Sequence, residues 1–192
     1  MFDTAAQQLQ QPGTIGVLPT DTLYGVVARA QDMAAVARLY RLRQRVHKPG
    51  PIIAAGIDQL VELGLKRRYL MPFEQFWPGP VSAVVPCGPE LEYLHQGTHT
   101  LAVRIPAYRA LQELLAKTGP LMTTSANRPG EPASVTVDEA KTYFGSRVDF
   151  YVDGGDYTGR APSTVIRMLD DAIEVLREGA VKINEKGEIA AP

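Results

Sequence analysis

Apolar runs and helically spaced stretches alternate along this chain, a pattern that predicts an α/β sheet domain. Thr14-Ile15-Gly16-Val17-Leu18 follows the Pro12-Gly13 turn and stops at Pro19, as a buried strand does. Before it, Asp3-Thr4 is placed to cap a short helix reaching about Gln10. Asp32 is placed to cap a helix through about Gln44, with Met33, Val36, Ala37 and Tyr40 as its expected buried stripe. Pro51-Ile52-Ile53-Ala54-Ala55 reads as a further strand. Helices are expected at Asp58–Leu63 and Arg67–Phe76, the second ended by Pro78-Gly79-Pro80.

The second half repeats the alternation. Val81–Val85 and Thr100–Ile105 read as core strands, Tyr108–Lys117 as a helix and Leu121–Thr124 as a strand. Thr136 or Asp138 opens a helix at Val137–Phe144. Val148–Val152, Ser163–Met168 and Ile173–Leu176 read as late strands, and Asn184-Glu185-Lys186-Gly187 as the turn of a small hairpin. There is no internal repeat, low-complexity stretch or linker, so residues 1–192 are expected to form a single domain.

Composition narrows the function classes. The formal net charge is −1, from 20 basic and 21 acidic residues, which argues against coating nucleic acid by charge alone. A local basic pocket for a phosphate-bearing small molecule remains compatible with it. No apolar run reaches the roughly 18 residues of a membrane helix. The segment Met1-Phe2-Asp3-Thr4 has neither the basic nor the apolar region of a signal peptide. Cys87, the only cysteine, cannot form an internal disulfide, which fits a reducing, cytoplasmic setting.

Three segments could carry chemistry. Pro19-Thr20-Asp21-Thr22-Leu23-Tyr24-Gly25 directly follows a strand, where α/β sheets open their ligand crevices, and it also reads as a polar turn with helix caps. Arg38, Arg41, Arg43, Arg45 and Lys48 form a basic cluster. The spacing of Arg38, Arg41 and Arg45 predicts one helix face opposite Met33, fit for phosphate oxygens or simply solvated. Leu121-Met122-Thr123-Thr124-Ser125-Ala126-Asn127 runs an apolar strand into hydroxyls and an amide, suited to phosphate or ribose, or to local capping. Arg104 and Arg177 each close an apolar run and need an anionic partner if buried, a ligand or a structural ion pair. No Walker A sequence, dinucleotide fingerprint or nucleophile elbow is present, and His47, His95, His99 and Cys87 lack zinc-ligand spacing. Catalysis by positioning and charge stabilisation fits such a set.

Seven segments together resemble the YrdC-like threonylcarbamoyl-AMP synthase family, in its short single-domain branch. They are Pro19–Gly25, Arg43-Gln44-Arg45, Trp77-Pro78-Gly79-Pro80, Leu101-Ala102-Val103-Arg104, Thr124-Ser125-Ala126-Asn127 with Gly130, Ser163-Thr164-Val165, and Val175-Leu176-Arg177-Glu178-Gly179. The resemblance implies a twisted mixed parallel and antiparallel sheet, flanked by helices, with a deep basic cavity. It implies that L-threonine, bicarbonate or CO2, and ATP with Mg2+ give threonylcarbamoyl-AMP and pyrophosphate. A tRNA threonylcarbamoyltransferase would then use that product. Carried over by motif, Arg43, Arg45, Lys48, Thr100, Ser125, Asn127 and Arg177 would hold ATP. Thr22, Tyr24, Arg104, Thr123 and Ser163 would hold threonine. No protein side chain would bind metal, since Mg2+ would ride on the phosphates.

The chain departs from the family pattern at Arg43, where lysine is common, and at Val46, where proline is common. It also has Ala54-Ala55 where many members carry a histidine. Two other readings belong to related domains: carbamoyl transfer of the hydrogenase-maturation type, and a non-catalytic double-stranded RNA-binding module. The second leaves room for contact with tRNA or double-stranded RNA, for which Lys66-Arg67-Arg68 offers basic surface.

Overall fold

The computed structural model describes residues 2–170, 172–184 and 186–190. Its strands are β1 (Ile15–Pro19), β2 (Tyr24–Arg29), β3 (Ile52–Ile53), β4 (Val81–Pro86), β5 (Thr100–Arg104), β6 (Leu121–Ser125), β7 (Phe150–Tyr151), β8 (Thr164–Leu169) and β9 (Ala172–Arg177). Among the described residues they form one nine-stranded sheet, ordered β7-β1-β2-β6-β3-β5-β4-β8-β9. The sheet is mixed: β1–β7, β3–β5 and β4–β8 pair in parallel, and the other neighbours are antiparallel.

Helices flank the sheet on both faces because successive strand residues point to opposite sides. On one face, α2 (Met33–Arg43) buries Ala35, Val36, Leu39 and Tyr40 in a cluster with Val26, Ala28, Met122 and Val103. On the other face, α1 (Asp3–Leu9) and α6 (Arg109–Thr118) supply Leu9, Leu111, Leu114 and Leu115 to a cluster with Leu18, Val27, Ile53 and Leu121. Alternation from Leu121 puts Thr123 and Ser125 on this second face. Arg104 joins them, since it stands directly opposite Ile53 in the β3–β5 pairing. The polar groups of the site therefore continue the surface that α1 and α6 cover with apolar side chains.

Shorter helices complete the chain: α3 (Ile57–Leu63), α4 (Arg67–Leu70), α5 (Glu92–His95) and α7 (Val137–Phe144). Thr136 caps α7 by accepting from Glu139 N–H at 3.3 Å. Most sequence-based expectations differ from these bounds by one or two residues, and several differ by more. Tyr24-Gly25 was read as part of a possible polar turn and Val26–Arg29 was given no element, yet Tyr24–Arg29 forms β2, enclosed between β1 and β6. A strand buried on both faces has no polar alternation to reveal it. The strand expected over 51–55 shrinks to Ile52–Ile53, and that over 148–152 to Phe150–Tyr151. The helix expected over 67–76 splits into α4 and a 3-10 segment, Met71–Phe76.

Two details of the helices also change. Phe2, not Asp3 or Thr4, occupies the first cap position, and its side chain makes no capping hydrogen bond. In α2 the buried stripe is rotated: Met33 is 61% exposed and Ala37 also faces solvent, while Leu39 and Arg43 turn inward. Near the C-terminus, Ile183 and Ile189 form an antiparallel bridge around the expected turn, of which Glu185 lies outside the described residues.

Asp32 fixes the start of α2 twice, because its Oδ1 accepts from Ala35 N–H at 2.9 Å and its Oδ2 from Gly13 N–H at 2.7 Å. Replacement by alanine removes the cap and the tie to the turn before β1 together. Asp32→Ala is therefore expected to lower unfolding free energy by about 1–2 kcal/mol. Urea titration checks this, with the midpoint falling and the slope unchanged.

Candidate functional site

The site begins at the turn between β1 and β2. Thr20 Oγ1 accepts from Leu23 N–H at 3.3 Å and from Thr22 N–H at 3.2 Å, and donates to Leu23 C=O at 2.7 Å. One hydroxyl thus folds the turn on itself and buries Thr20 and Thr22. Next to it, Arg104 at the end of β5 is 4% exposed. Its Nη1 donates to Thr22 Oγ1 at 3.0 Å and lies 2.8 Å from Asp21 Oδ1. Arg104 Nε is buried with no hydrogen-bond partner among the described residues.

The pair is charge-matched in a poorly hydrated place. Burial raises the Asp21 carboxyl above its ordinary range, and the nearby Arg104 guanidinium opposes that rise. Burial lowers the Arg104 pKa; the Asp21 carboxylate opposes the fall, and Arg177 adds to it.

β6 brings Thr123, Thr124 and Ser125 to the same place, opposite β2. A Cβ on Gly25 would lie 2.5 Å from Thr123 Oγ1, so only glycine lets β2 close against that hydroxyl. From the far side come Ser163 and Arg177, whose Nη2 donates to Ser163 C=O at 2.7 Å and to Ser163 Oγ at 3.3 Å. A Cβ on Gly179 would lie 2.3 Å from Pro162 O, so this glycine lets the chain after β9 press against the Pro162–Ser163 peptide.

Together these groups enclose a cavity of about 320 Å³. Arg45, Arg104 and Arg177 line it, none of the described lining residues is acidic, and Thr20, Thr22, Thr123, Ser125 and Ser163 add hydroxyls to the lining. A small, partly enclosed volume with three guanidinium groups and several hydroxyls suits an anionic ligand rich in oxygen.

Nine of the twelve candidate residues line this one cavity: Thr22, Tyr24, Arg45, Arg104, Thr123, Ser125, Asn127, Ser163 and Arg177. Tyr24 contributes more by shape than by its hydroxyl, which accepts from Gly154 N–H at 2.7 Å and donates to Gly155 C=O at 2.9 Å. Asn127 is saturated by the protein. Its Oδ1 accepts from Ser125 Oγ at 2.7 Å and from Arg43 Nη2 at 2.8 Å, and its Nδ2 donates to the Arg128 and Glu131 carbonyls.

The other three lie outside the lining. Arg43 is buried behind Asn127, and its Nε and Nη1 have no partner among the described residues. Burial, with the adjacent Arg45, lowers its pKa to about 10. Lys48 is exposed on the loop after α2, where its C=O accepts from Arg45 Nε at 2.7 Å. Thr100 opens β5, four positions before Arg104. The expected arginine face of the helix dissolves as well. Arg38 bonds to Asp149, Arg41 faces solvent, and Arg45 leaves the helix because Gln44 ends it in the left-handed region at φ 48°.

Sequence reasoning singled out neither Asp21 as the partner of Arg104 nor Ser82, which lies beneath Ser163. Asp21 is inside a motif already noted, but nothing in the chain says which cation it meets 83 positions later. Ser82 carries a faint signal as the one polar residue in Val81–Val85. Among the described residues, no group of three His, Cys, Asp or Glu side chains could hold a metal ion. Nor is any helix there long and apolar enough to cross a membrane.

Residues 8–179 match the model of the Sua5/YciO/YrdC family, which is described as "Telomere recombination". The chain belongs to this family. Threonylcarbamoyl-AMP synthase of Chromohalobacter salexigens is 35% identical over 158 residues, covering 80% of this chain and 85% of that protein. Pyrococcus abyssi Sua5, solved in complex with L-threonine, superposes with a TM-score of 0.82 at 30% identity, covering 93% of this chain. The match spans 54% of the P. abyssi chain, about half of its length. Escherichia coli YciO superposes with a TM-score of 0.81 at 25% identity, covering 95% of this chain and 91% of that one. The mixed sheet flanked by helices is thus the fold of the family.

Arg104→Ala removes a cation from beside a buried carboxylate, so it cannot be a purely local change. It is expected to cost about 3–5 kcal/mol of stability by stranding Asp21. The double variant Asp21→Asn with Arg104→Gln should recover much of that loss, as denaturant titration of both proteins will report. A single variant as stable as the wild type contradicts the pairing.

Proposed function

We propose that this chain is an L-threonylcarbamoyladenylate synthase, a nucleotidyltransferase acting on L-threonine, bicarbonate or CO2, and ATP with Mg2+. The observation that carries the reading is the single cavity where Arg45, Arg104 and Arg177 converge with hydroxyls and no acid among the described lining residues. That donor set matches a carboxylate and a polyphosphate held side by side. The relatives named as threonylcarbamoyl-AMP synthases and the threonine complex of P. abyssi Sua5 support it. They do not favour the carbamoyl-transfer and RNA-module alternatives.

In this reading Arg104 and Thr22 take the threonine carboxylate, with Thr123 and Ser163 around the amino acid and Tyr24 shaping the wall. Asp21 already balances much of the Arg104 charge, so the hold on the substrate is one of geometry as much as of charge. The threonine amine attacks CO2, forms an N–C bond and loses a proton, giving N-carboxy-threonine. That carboxylate oxygen attacks the α-phosphorus of ATP. The bond from this phosphorus to the bridging oxygen breaks, and pyrophosphate leaves. Arg45 and Arg177 would stabilise the phosphate charge, Ser125, whose proton goes to Asn127, would offer the nucleotide an acceptor, and Mg2+ would arrive on the phosphates as part of the substrate. No protein nucleophile is needed, because the two substrates supply nucleophile and electrophile and the cavity supplies alignment.

The roles first assigned to Arg43 and Asn127 change in kind. Both orient Ser125, Asn127 directly from its place beside it on the wall and Arg43 from behind, through Asn127. Lys48 stays in the proposal as a phosphate contact from its loop. Thr100 draws no support from the geometry. A single YrdC-like domain over residues 1–192, a cytoplasmic location and a downstream tRNA threonylcarbamoyltransferase belong to the same proposal.

Mixing the protein with ATP, Mg2+, bicarbonate and threonine should yield threonylcarbamoyl-AMP by mass spectrometry, and leaving out threonine should abolish it. Absence of the product from the complete mixture refutes the reading. Arg45→Ala is expected to slow threonine-dependent pyrophosphate release at least about tenfold, roughly 1.4 kcal/mol of transition-state stabilisation. Release at the wild-type rate removes Arg45 from the site.

A further inference from the structure

Ser82 lies on β4 and is 1% exposed, in a run otherwise made of apolar residues. Among the described residues its hydroxyl has one hydrogen-bond partner, Ser163 Oγ at 2.9 Å. Either oxygen could donate by distance alone, and the surroundings decide the direction. If Ser163 donated to Ser82, the Ser82 proton would be buried without an acceptor, at a cost of about 1–3 kcal/mol. Ser82 therefore donates to Ser163. Arg177 Nη2 also lies within donating distance of Ser163 Oγ, at 3.3 Å. A serine oxygen accepts two hydrogen bonds and donates one. With both lone pairs occupied by Ser82 and Arg177, the Ser163 proton is left for the cavity that Ser163 lines.

We infer that Ser82 is a positioning residue, which turns Ser163 into a hydrogen-bond donor aimed at an acceptor group in the cavity. An acceptor oxygen of the ligand then meets the Ser163 hydroxyl as a donor on this wall, beside the Arg177 guanidinium. A ligand offering a donor at that point meets another donor and is disfavoured. Ser82 touches no ligand and acts only through the proton it commits. This inference rests on the synthase reading for the identity of that ligand, the amino acid around which Ser163 stands.

Calorimetric titration of threonine into the full chain tests it, with ATP titrated separately. Ser82→Ala frees a lone pair on Ser163, so Ser163 no longer has to donate into the cavity. The variant should bind threonine about tenfold more weakly, with ATP affinity and the unfolding midpoint near those of the wild type. Ser82→Thr keeps the hydroxyl and should restore threonine binding. Ser82→Cys keeps the shape at slightly larger size but donates poorly, so it should resemble Ser82→Ala, and it answers the question if the alanine variant does not fold. Wild-type protein that binds no threonine overturns the synthase reading and this inference with it. Wild-type binding matched by the alanine or cysteine variant overturns the inference alone. So does a threonine variant as weak as alanine, or an equal loss of ATP affinity.

Discussion

The arrangement of this protein turns on a guanidinium kept out of water. Arg104 ends a strand whose other residues sit in an apolar sheet, and its own exposure is 4%. A charge in that position is tolerated only if the surrounding chain answers it. Asp21 and Thr22 do so from the turn between the first two strands. That turn must therefore fold back over the sheet, which it does through the Thr20 hydroxyl and the glycine that lets β2 approach Thr123. The cavity is the space left between this turn, the end of β6 and the Ser163–Arg177 wall. Its charge comes from three guanidinium groups with a single carboxylate beside them.

Around the hydroxyls and guanidinium groups of the cavity stands a second set of residues, Asn127 on the wall itself and others behind it, that fixes their direction. Asn127 spends its whole hydrogen-bonding capacity on the protein and so holds Ser125, while Arg43 holds Asn127. Ser82 does the corresponding work for Ser163. This arrangement suits chemistry in which the substrates bring their own reactive atoms, because alignment is then the main thing left for the protein to supply. It also explains how a chain without an obvious catalytic acid, base or nucleophile can belong to a family whose members are named as synthases.

The segments that matter most for the site were visible in the chain as hydroxyl-rich or basic runs after apolar strands. Ser125, Arg104 and Arg177 sit at strand ends and Thr123 in mid-strand two positions before Ser125, where periodicity is easy to follow and a polar intrusion stands out. Legibility failed where several neighbours decide the outcome. Tyr24–Arg29 went unassigned as a strand because one covered on both faces shows no alternation. Met33 looked buried because it begins a plausible stripe, but α2 docks through Ala35, Val36, Leu39 and Tyr40. The arginine cluster looked like one helical face, yet Gln44 breaks the helix and sends Arg45 inward, while Arg38 is drawn to Asp149.

Local spacing and chemistry determined the α/β class, most of the strands and the capped start of α2, since those depend on residues within a few positions of one another. They also determined which residue types were available for an anionic ligand. Pairing across the chain belonged to the tertiary structure: Asp21 with Arg104, Arg43 with Asn127, Ser82 with Ser163. Burial depends on the whole sheet, and burial decides whether an arginine is a solvated ornament or a charge that demands a partner. A hydroxyl likewise becomes directional only when packing removes every alternative for its proton, and no stretch of sequence carries that information alone.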